Sequence, residues 1–114
     1  MEKFIPVVVI KELGETDKIL TALKNNGINC AEITFRTACA KEAIEYACKN
    51  YPDMSIGAGT VMTEEQVELA YHAGAEFIIS PDCYEAVIKK TRELGMVSIP
   101  GAFTPTEAAS ANRF

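Results

Sequence analysis

Tryptophan is absent from this chain, and histidine occurs once, at His72. A lone histidine offers no paired-imidazole zinc site. None of the four cysteines, Cys30, Cys39, Cys48 and Cys83, stands in a CxxC pair, so no metal site is expected. Positive charge is also in short supply, with 11 Lys and Arg against 16 Asp and Glu and a net charge of -5. The basic residues are scattered. That excludes the basic stripe of a nucleic-acid binder and the polybasic patch of an anionic-membrane binder. No apolar run approaches the roughly 18 residues of a membrane span. The apolar stretch near the start is too short for a secretory signal, and no small-residue cleavage site follows it. The expectation is a cytoplasmic protein with no nucleic-acid or membrane partner. Its cysteines are read as small buried apolar side chains in a reducing compartment rather than disulfides.

What is present is a repeated unit. Short β-rich runs, Phe4 to Ile10, Asn29 to Thr34, Met54 to Ala58, Glu76 to Ser80 and Met96 to Pro100, alternate with segments of helical spacing. Ile19, Leu20 and Leu23 form one apolar stripe. Ala43, Ile44, Ala47 and Cys48 form a second, and Val67, Ala70 and Tyr71 a third. Ala86, Val87 and Lys90 continue the pattern less clearly. Gly27, Gly74 and Gly95 each follow a helical segment and precede a strand, where a left-handed C-cap is needed. Thr63 with Gln66, and Thr104-Pro105 with Glu107, read as capping boxes.

About five βα units in one domain over residues 1–114 predict an α/β fold with a parallel sheet and right-handed crossovers. Two architectures fit: a doubly wound open sheet and a (β/α)8 TIM barrel. The first strand is followed by Lys11-Glu12-Leu13-Gly14 rather than GxGxxG, which favours the barrel. A barrel closes with eight strands and runs to about 250 residues. Five units wound one way would clothe one sheet face with helices and leave the other face bare, with two unpaired edges. The expectation is therefore an incomplete barrel, whose missing half lies outside this chain or comes from a partner.

Strand two carries the informative chemistry. Side chains alternate along a strand, so Ala31, Ile33 and Phe35 should meet the helices. Cys30, Glu32, Thr34 and Arg36 should point inward. A buried glutamate is costly unless paired or functional, and burial raises its pKa toward values useful in proton transfer. Arg36 lies nearer the C-terminal rim, where barrel active sites sit, and its planar fork suits a carboxylate. A structural Glu32–Arg36 ion pair explains the same spacing equally well. On strand three, Gly57, Gly59 and Thr60 allow close backbone approach and offer a hydroxyl, although tight strand–helix packing also accounts for a GxG. Pro81 and Pro100 end strands four and five and are read as shaping the rim.

Five ordered motifs resemble the 2-keto-3-deoxy-6-phosphogluconate (KDPG) and 4-hydroxy-2-oxoglutarate aldolases. They are Ala31 to Thr37, Gly57 to Val61, Ala73 to Pro81, Ile99 to Gly101, and Thr104 to Glu107. The resemblance covers nearly the whole chain and about the first half of a typical member. It implies a (β/α)8 barrel assembled as a homotrimer. The implied enzyme is a class I, Schiff-base lyase that cleaves KDPG to pyruvate and glyceraldehyde 3-phosphate with neither metal nor organic cofactor. It further implies Glu32 as the general base, Arg36 and Thr60 as contacts to the pyruvate moiety, and Pro81 and Pro100 as shaping positions. The family's Schiff-base lysine and its phosphate-binding loops would follow the last residue here, so the expectation is that residues 1–114 alone are inactive. Lys11, just past strand one, is the one lysine placed to substitute, with a solvated loop lysine as its plainer reading. Two other readings remain. One is a thiamin-phosphate-synthase-like or other phosphate-sugar barrel enzyme. The other is a non-catalytic half-barrel that self-associates.

Overall fold

The computed structural model describes residues 5–81 and 84–100. Five strands alternate with four helices in this region. In order they are β1 Val7–Val8, α1 Glu15–Asn25, β2 Cys30–Thr34, α2 Ala40–Asn50, β3 Ser55–Gly59, α3 Glu64–Ala73, β4 Phe77–Ser80, α4 Glu85–Glu93 and β5 Val97–Pro100. All pairings are parallel and the spatial order is β1-β2-β3-β4-β5. A doubly wound sheet reverses its order at a switch point. This one never does, so the barrel-type expectation is the one the topology follows. No helix among the described residues is long and apolar enough to cross a membrane.

The helices lie side by side on one face of the sheet, α1 against α2, α2 against α3 and α3 against α4. Beneath them Val8, Ala31, Ile33, Ile56, Ala58 and Ile78 from the strands, and Ile10 just past β1, merge with Leu20, Ala43, Ile44, Ala47, Val67 and Ala70 into one apolar cluster. This burial, at about 25 cal/mol per Å² of apolar surface, is the main force joining the two layers.

The opposite, inner face was expected to be bare, and it is so only at its margins. Val7 on β1 and Val97 on β5 are 57% and 52% exposed. The centre is filled. A Cβ added at Gly57 would overlap the Phe77 ring, and one at Gly59 would overlap the Glu32 carboxyl. Phe77, Glu32 and Thr34 are accordingly buried. Side chains from β2 and β4 occupy the space that β3 leaves open.

Several local expectations need correction. The first strand is two residues long, not seven. Pro6 has no N–H to donate, and its carbonyl accepts from the Glu32 amide at 2.9 Å. Beyond Val8 the ladder ends because the Ile10 carbonyl is taken by Thr37 Oγ1 at 2.5 Å and Cys39 Sγ at 3.2 Å. On α3 the buried stripe is Val67, Ala70 and Ala73, while Tyr71 is exposed and meets His72 edge-on. On α4 it is Val87, Ile88 and Thr91, while Ala86 is exposed and Lys90 reaches Glu68 of α3 at 2.9 Å. Thr91 tolerates burial because its hydroxyl donates to the Val87 carbonyl at 2.7 Å.

The helix ends follow the sequence closely. Gly27, Gly74 and Gly95 all take positive φ, at 77°, 102° and 80°. Thr63 Oγ1 accepts from the Gln66 amide at 3.1 Å. The return bond from Gln66 Oε1 goes to the Met62 amide, one residue ahead of the cap, at 2.7 Å. The second capping box, Thr104 to Glu107, lies outside the described residues, as do Phe4, Cys83 and Gly101.

Replacing Thr63 with Ala removes the only side-chain cap on α3 and should lower stability by about 1 kcal/mol in urea unfolding. A change within error would show that the Gln66–Met62 bond alone closes this helix start.

Candidate functional site

Each member of the candidate trio is placed by a different backbone device. Glu32 sits in mid-β2, paired with Val7 on one side and Gly57 on the other. Its side chain leans along the strand toward the C-terminal rim, so its carboxyl lies over Gly59, the partner of Thr34. Arg36 stands two residues past the end of β2, exposed on the rim. Thr60 follows β3 directly and is half-buried.

Thr60 is the only non-glycine residue with positive φ among the described residues, at 55°. A β-branched residue in this region is under strain of about 1–2 kcal/mol. Hydrogen bonds on both sides hold it there: Phe35 N–H donates to the Gly59 carbonyl at 2.9 Å, and Val61 N–H to the Ile79 carbonyl at 3.2 Å. Glycine would fit the same backbone without strain. Strain retained at a strand's C-terminal end points to a use for the hydroxyl there.

Glu32 is 7% exposed. Burial pushes its carboxyl above the usual carboxylate range, and the positive charge of Arg36 pulls partly the other way. The alternative of a structural ion pair is not what forms. The described ion pairs, Lys41–Glu45, Lys89–Glu85 and Lys90–Glu68, all lie on helices, and Glu32–Arg36 is not among them. A close guanidinium would drive the carboxyl down, whereas desolvation wins here. The arrangement is a desolvated carboxyl set below a cation on the rim, with no ion pair between them.

Two residues on the same face were not singled out from sequence. Phe77 lays its ring over Gly57 and forms an apolar wall beside the carboxyl. Thr34 is fully buried and its Oγ1 has no hydrogen-bond partner, a state that costs about 1–3 kcal/mol. Alternation had placed Thr34 inward, but only the structure shows its hydroxyl unmet.

Other chemistry-bearing side chains stand apart. Lys11 is exposed in the bend after β1, where its backbone N–H donates to Glu15 Oε2 at 3.3 Å. Pro81 follows β4 and is exposed, and Pro100 is the last residue of β5. Cys30, Cys39 and Cys48 are not joined by disulfides, and burial together with the charge of Glu76 pushes the Cys48 thiol up to about 11. Among the described residues no group of three or more His, Cys, Asp or Glu side chains is placed to hold a metal ion. An open groove between the α3–β4 and α4–β5 connections, lined by Tyr71, His72, Glu76 and Met96, lies at the opposite end of the strands from Arg36 and Thr60.

Two consequences can be measured. The Glu32 carboxyl holds its proton more tightly folded than unfolded, so unfolding free energy falls as pH rises between the ordinary carboxyl value, about 4.3, and the raised one. Glu32→Gln should therefore melt higher than the parent at pH 7, with the gap closing toward about pH 4. A parent that is the more stable of the two at pH 7 would contradict a desolvated carboxyl. Gly59→Ala forces the carboxyl from its seat and should move its titration toward the ordinary range in carboxyl-carbon NMR. An unmoved titration would place the carboxyl elsewhere.

Comparison with known proteins meets this geometry. The family model described as KDPG and KHG aldolase matches residues 1–114. A 2-dehydro-3-deoxy-phosphogluconate aldolase of Treponema pallidum is 38% identical over 112 residues, covering 98% of this chain and 53% of the relative. The crystal structure of KDPG aldolase from Legionella pneumophila, with pyruvate captured as a covalent carbinolamine intermediate, superimposes with TM-score 0.91 at 37% identity. It covers 96% of this chain and 53% of that one. The Zymomonas mobilis 2-keto-3-deoxy-6-phosphogluconate aldolase with 3-phosphoglycerate gives TM-score 0.88 at 32% identity, covering 96% and 52%. The chain thus spans about half the length of the relatives it matches. With a parallel sheet in strictly sequential order and a family model that matches residues 1–114, this chain belongs to the KDPG and KHG aldolase family.

Proposed function

We propose that this chain supplies the proton-transfer and carboxylate-binding side of a class I aldolase site. That site cleaves KDPG to pyruvate and glyceraldehyde 3-phosphate and accepts 4-hydroxy-2-oxoglutarate as a second substrate. The observation that carries the reading is Glu32, a buried carboxyl with a raised pKa on the inner face of β2, below the exposed cation of Arg36. Relatives that carry these names, and a structure with pyruvate held covalently, support it.

The chemistry assigns each group a step. Arg36 fixes the substrate carboxylate by a two-pronged hydrogen bond, and the Thr60 hydroxyl holds the same end. Glu32 as carboxylate takes the proton of the C4 hydroxyl. The C3–C4 bond then breaks, its electron pair moves onto C3, and glyceraldehyde 3-phosphate departs. The same carboxyl returns the proton to C3, giving the methyl group of pyruvate. A raised pKa suits a group that must both take and give a proton near neutral pH. The bond-breaking step also requires an electron sink. By resemblance, that is a lysine amine located in the half of the relatives this chain does not span. Residues 1–114 are then one portion of a single barrel domain, in a cytoplasmic protein that assembles as a homotrimer and serves carbohydrate metabolism.

A second reading, a non-catalytic half-barrel that self-associates, draws on the exposed Val7 and Val97 at the two sheet edges. Both readings meet in one set of measurements. Pyruvate release from KDPG is followed by coupled reduction to lactate, and pyruvate with borohydride is followed by intact mass. In the whole protein, aldolase function predicts release and a pyruvate-sized mass gain, whereas residues 1–114 alone, without that lysine, give neither. It also predicts a rate about 10²–10⁴-fold lower in Glu32→Gln and a raised KM in Arg36→Ala. Neither release nor adduct from the whole protein, together with a dilution-resistant oligomer in sedimentation, would leave the half-barrel reading standing.

A further inference from the structure

Two donors on the β2–α2 connection close on a single acceptor just past β1. Thr37 Oγ1 donates to the Ile10 carbonyl at 2.5 Å, and Cys39 Sγ donates to the same oxygen at 3.2 Å. A carbonyl oxygen has two lone pairs and can accept both. Ile10 is fully buried, so the acceptor is anchored by the core. The Thr37 carbonyl is engaged as well, accepting from the Ala40 N–H at 3.3 Å where α2 begins. That helix has no side-chain cap bond of its own, so Thr37 joins the exit of β1 to the entry of α2.

Arg36 stands between two anchored residues. Before it, the Phe35 N–H is held by the Gly59 carbonyl of β3 at 2.9 Å. After it, the Thr37 hydroxyl is held by the exit of β1. Since β2 lies between β1 and β3, the two ties pull toward opposite neighbours. The exposed Arg36 side chain therefore departs from a backbone fixed on both sides. A long cationic side chain on a free loop would have to be ordered when a ligand arrived, at a cost to affinity. A fixed backbone removes part of that cost beforehand. It also sets direction, which a two-pronged bond to a carboxylate requires.

Building on the keto-acid reading of this site, we infer that Thr37 is a positioning residue for Arg36. Its hydroxyl, bonded to the Ile10 carbonyl, sets where on the rim the guanidinium meets the substrate carboxylate. Thr37 itself touches no substrate in this role. The Cys39 thiol, a weaker donor to the same oxygen, is the lesser hook. Were packing the only requirement, valine, of the same shape, would serve equally well.

Steady-state release of pyruvate from KDPG by the whole protein reads the difference. Thr37→Val should raise KM about three- to tenfold and leave kcat within about twofold of the parent, because the lost bond weakens carboxylate binding rather than proton transfer at Glu32. Thr37→Ser keeps the donor and should bring KM back to within about twofold of the parent. In an Arg36→Ala background, Thr37→Val should change KM no further, since its effect runs through the guanidinium. Thr37→Ala, which also lacks the donor, takes the place of the valine variant should that one fail to accumulate. An unchanged KM, a fall in kcat at constant KM, a serine variant as impaired as the valine one, or an effect that persists in full without Arg36 would each overturn the assignment. A parent that releases no pyruvate, or an Arg36→Ala variant with the parent's KM, would instead overturn the keto-acid reading of the whole site, an outcome distinct from the failure of Thr37 alone.

Discussion

Everything on the inner face depends on competition for two small volumes beside β3. At positions 57 and 59 a methyl group would collide with Phe77 and Glu32, respectively. Glycine resolves both conflicts by declining the space. The neighbouring strands then fill it with what the site needs: an aromatic wall and a carboxyl. Without the second glycine the carboxyl would be pushed toward solvent, and the desolvation that sets its proton affinity would fade. The glycines act less as flexible points than as vacancies, since neither has positive φ.

The rim is built by the opposite device. Where β3 ends, a threonine is forced into a backbone region that glycine would enter freely. The flanking N–H groups of Phe35 and Val61 lock the strained residue between β2 and β4. Small residues deep in the face and a strained polar residue at its lip thus belong to one strand, β3, and its exit, and the neighbours β2 and β4 supply the side chains beside it. Each strand's exit is tied to its neighbour, so Arg36 and Thr60 share a rigid frame rather than two independent loops.

The βα order, the positive-φ glycines and the Thr63 cap were all legible because each rests on local backbone chemistry. The inward placement of Glu32 was legible because strand alternation is a rule of period two. Other features depend on tertiary contacts that no local pattern encodes. The Ile10 carbonyl is captured by Thr37 and Cys39 from the next loop, which shortens β1. Thr91 passes as polar in the sequence, but its hydroxyl bonds back along its own helix, so the residue can be buried where Ala86 is not. The choice between an ion pair and a desolvated carboxyl at Glu32 turned on where Arg36 points once β2 has ended. Spacing alone is silent on that.

The strictly sequential strand order carries a kinetic consequence. Val7 pairs with Glu32 and Cys30 with Ser55, each 25 residues apart, while Gly57 pairs with Phe77 and Phe77 with Val97, each 20 apart. Every pairing therefore closes a loop of nearly the same length, and loop-closure entropy, which grows only logarithmically, is nearly equal at each step. Among the described strands, none must wait for a distant segment before it finds its sequential neighbour. Assembly can propagate from one unit to the next as the chain emerges from a ribosome. Contact order stays low for a parallel sheet, an architecture otherwise slow to form.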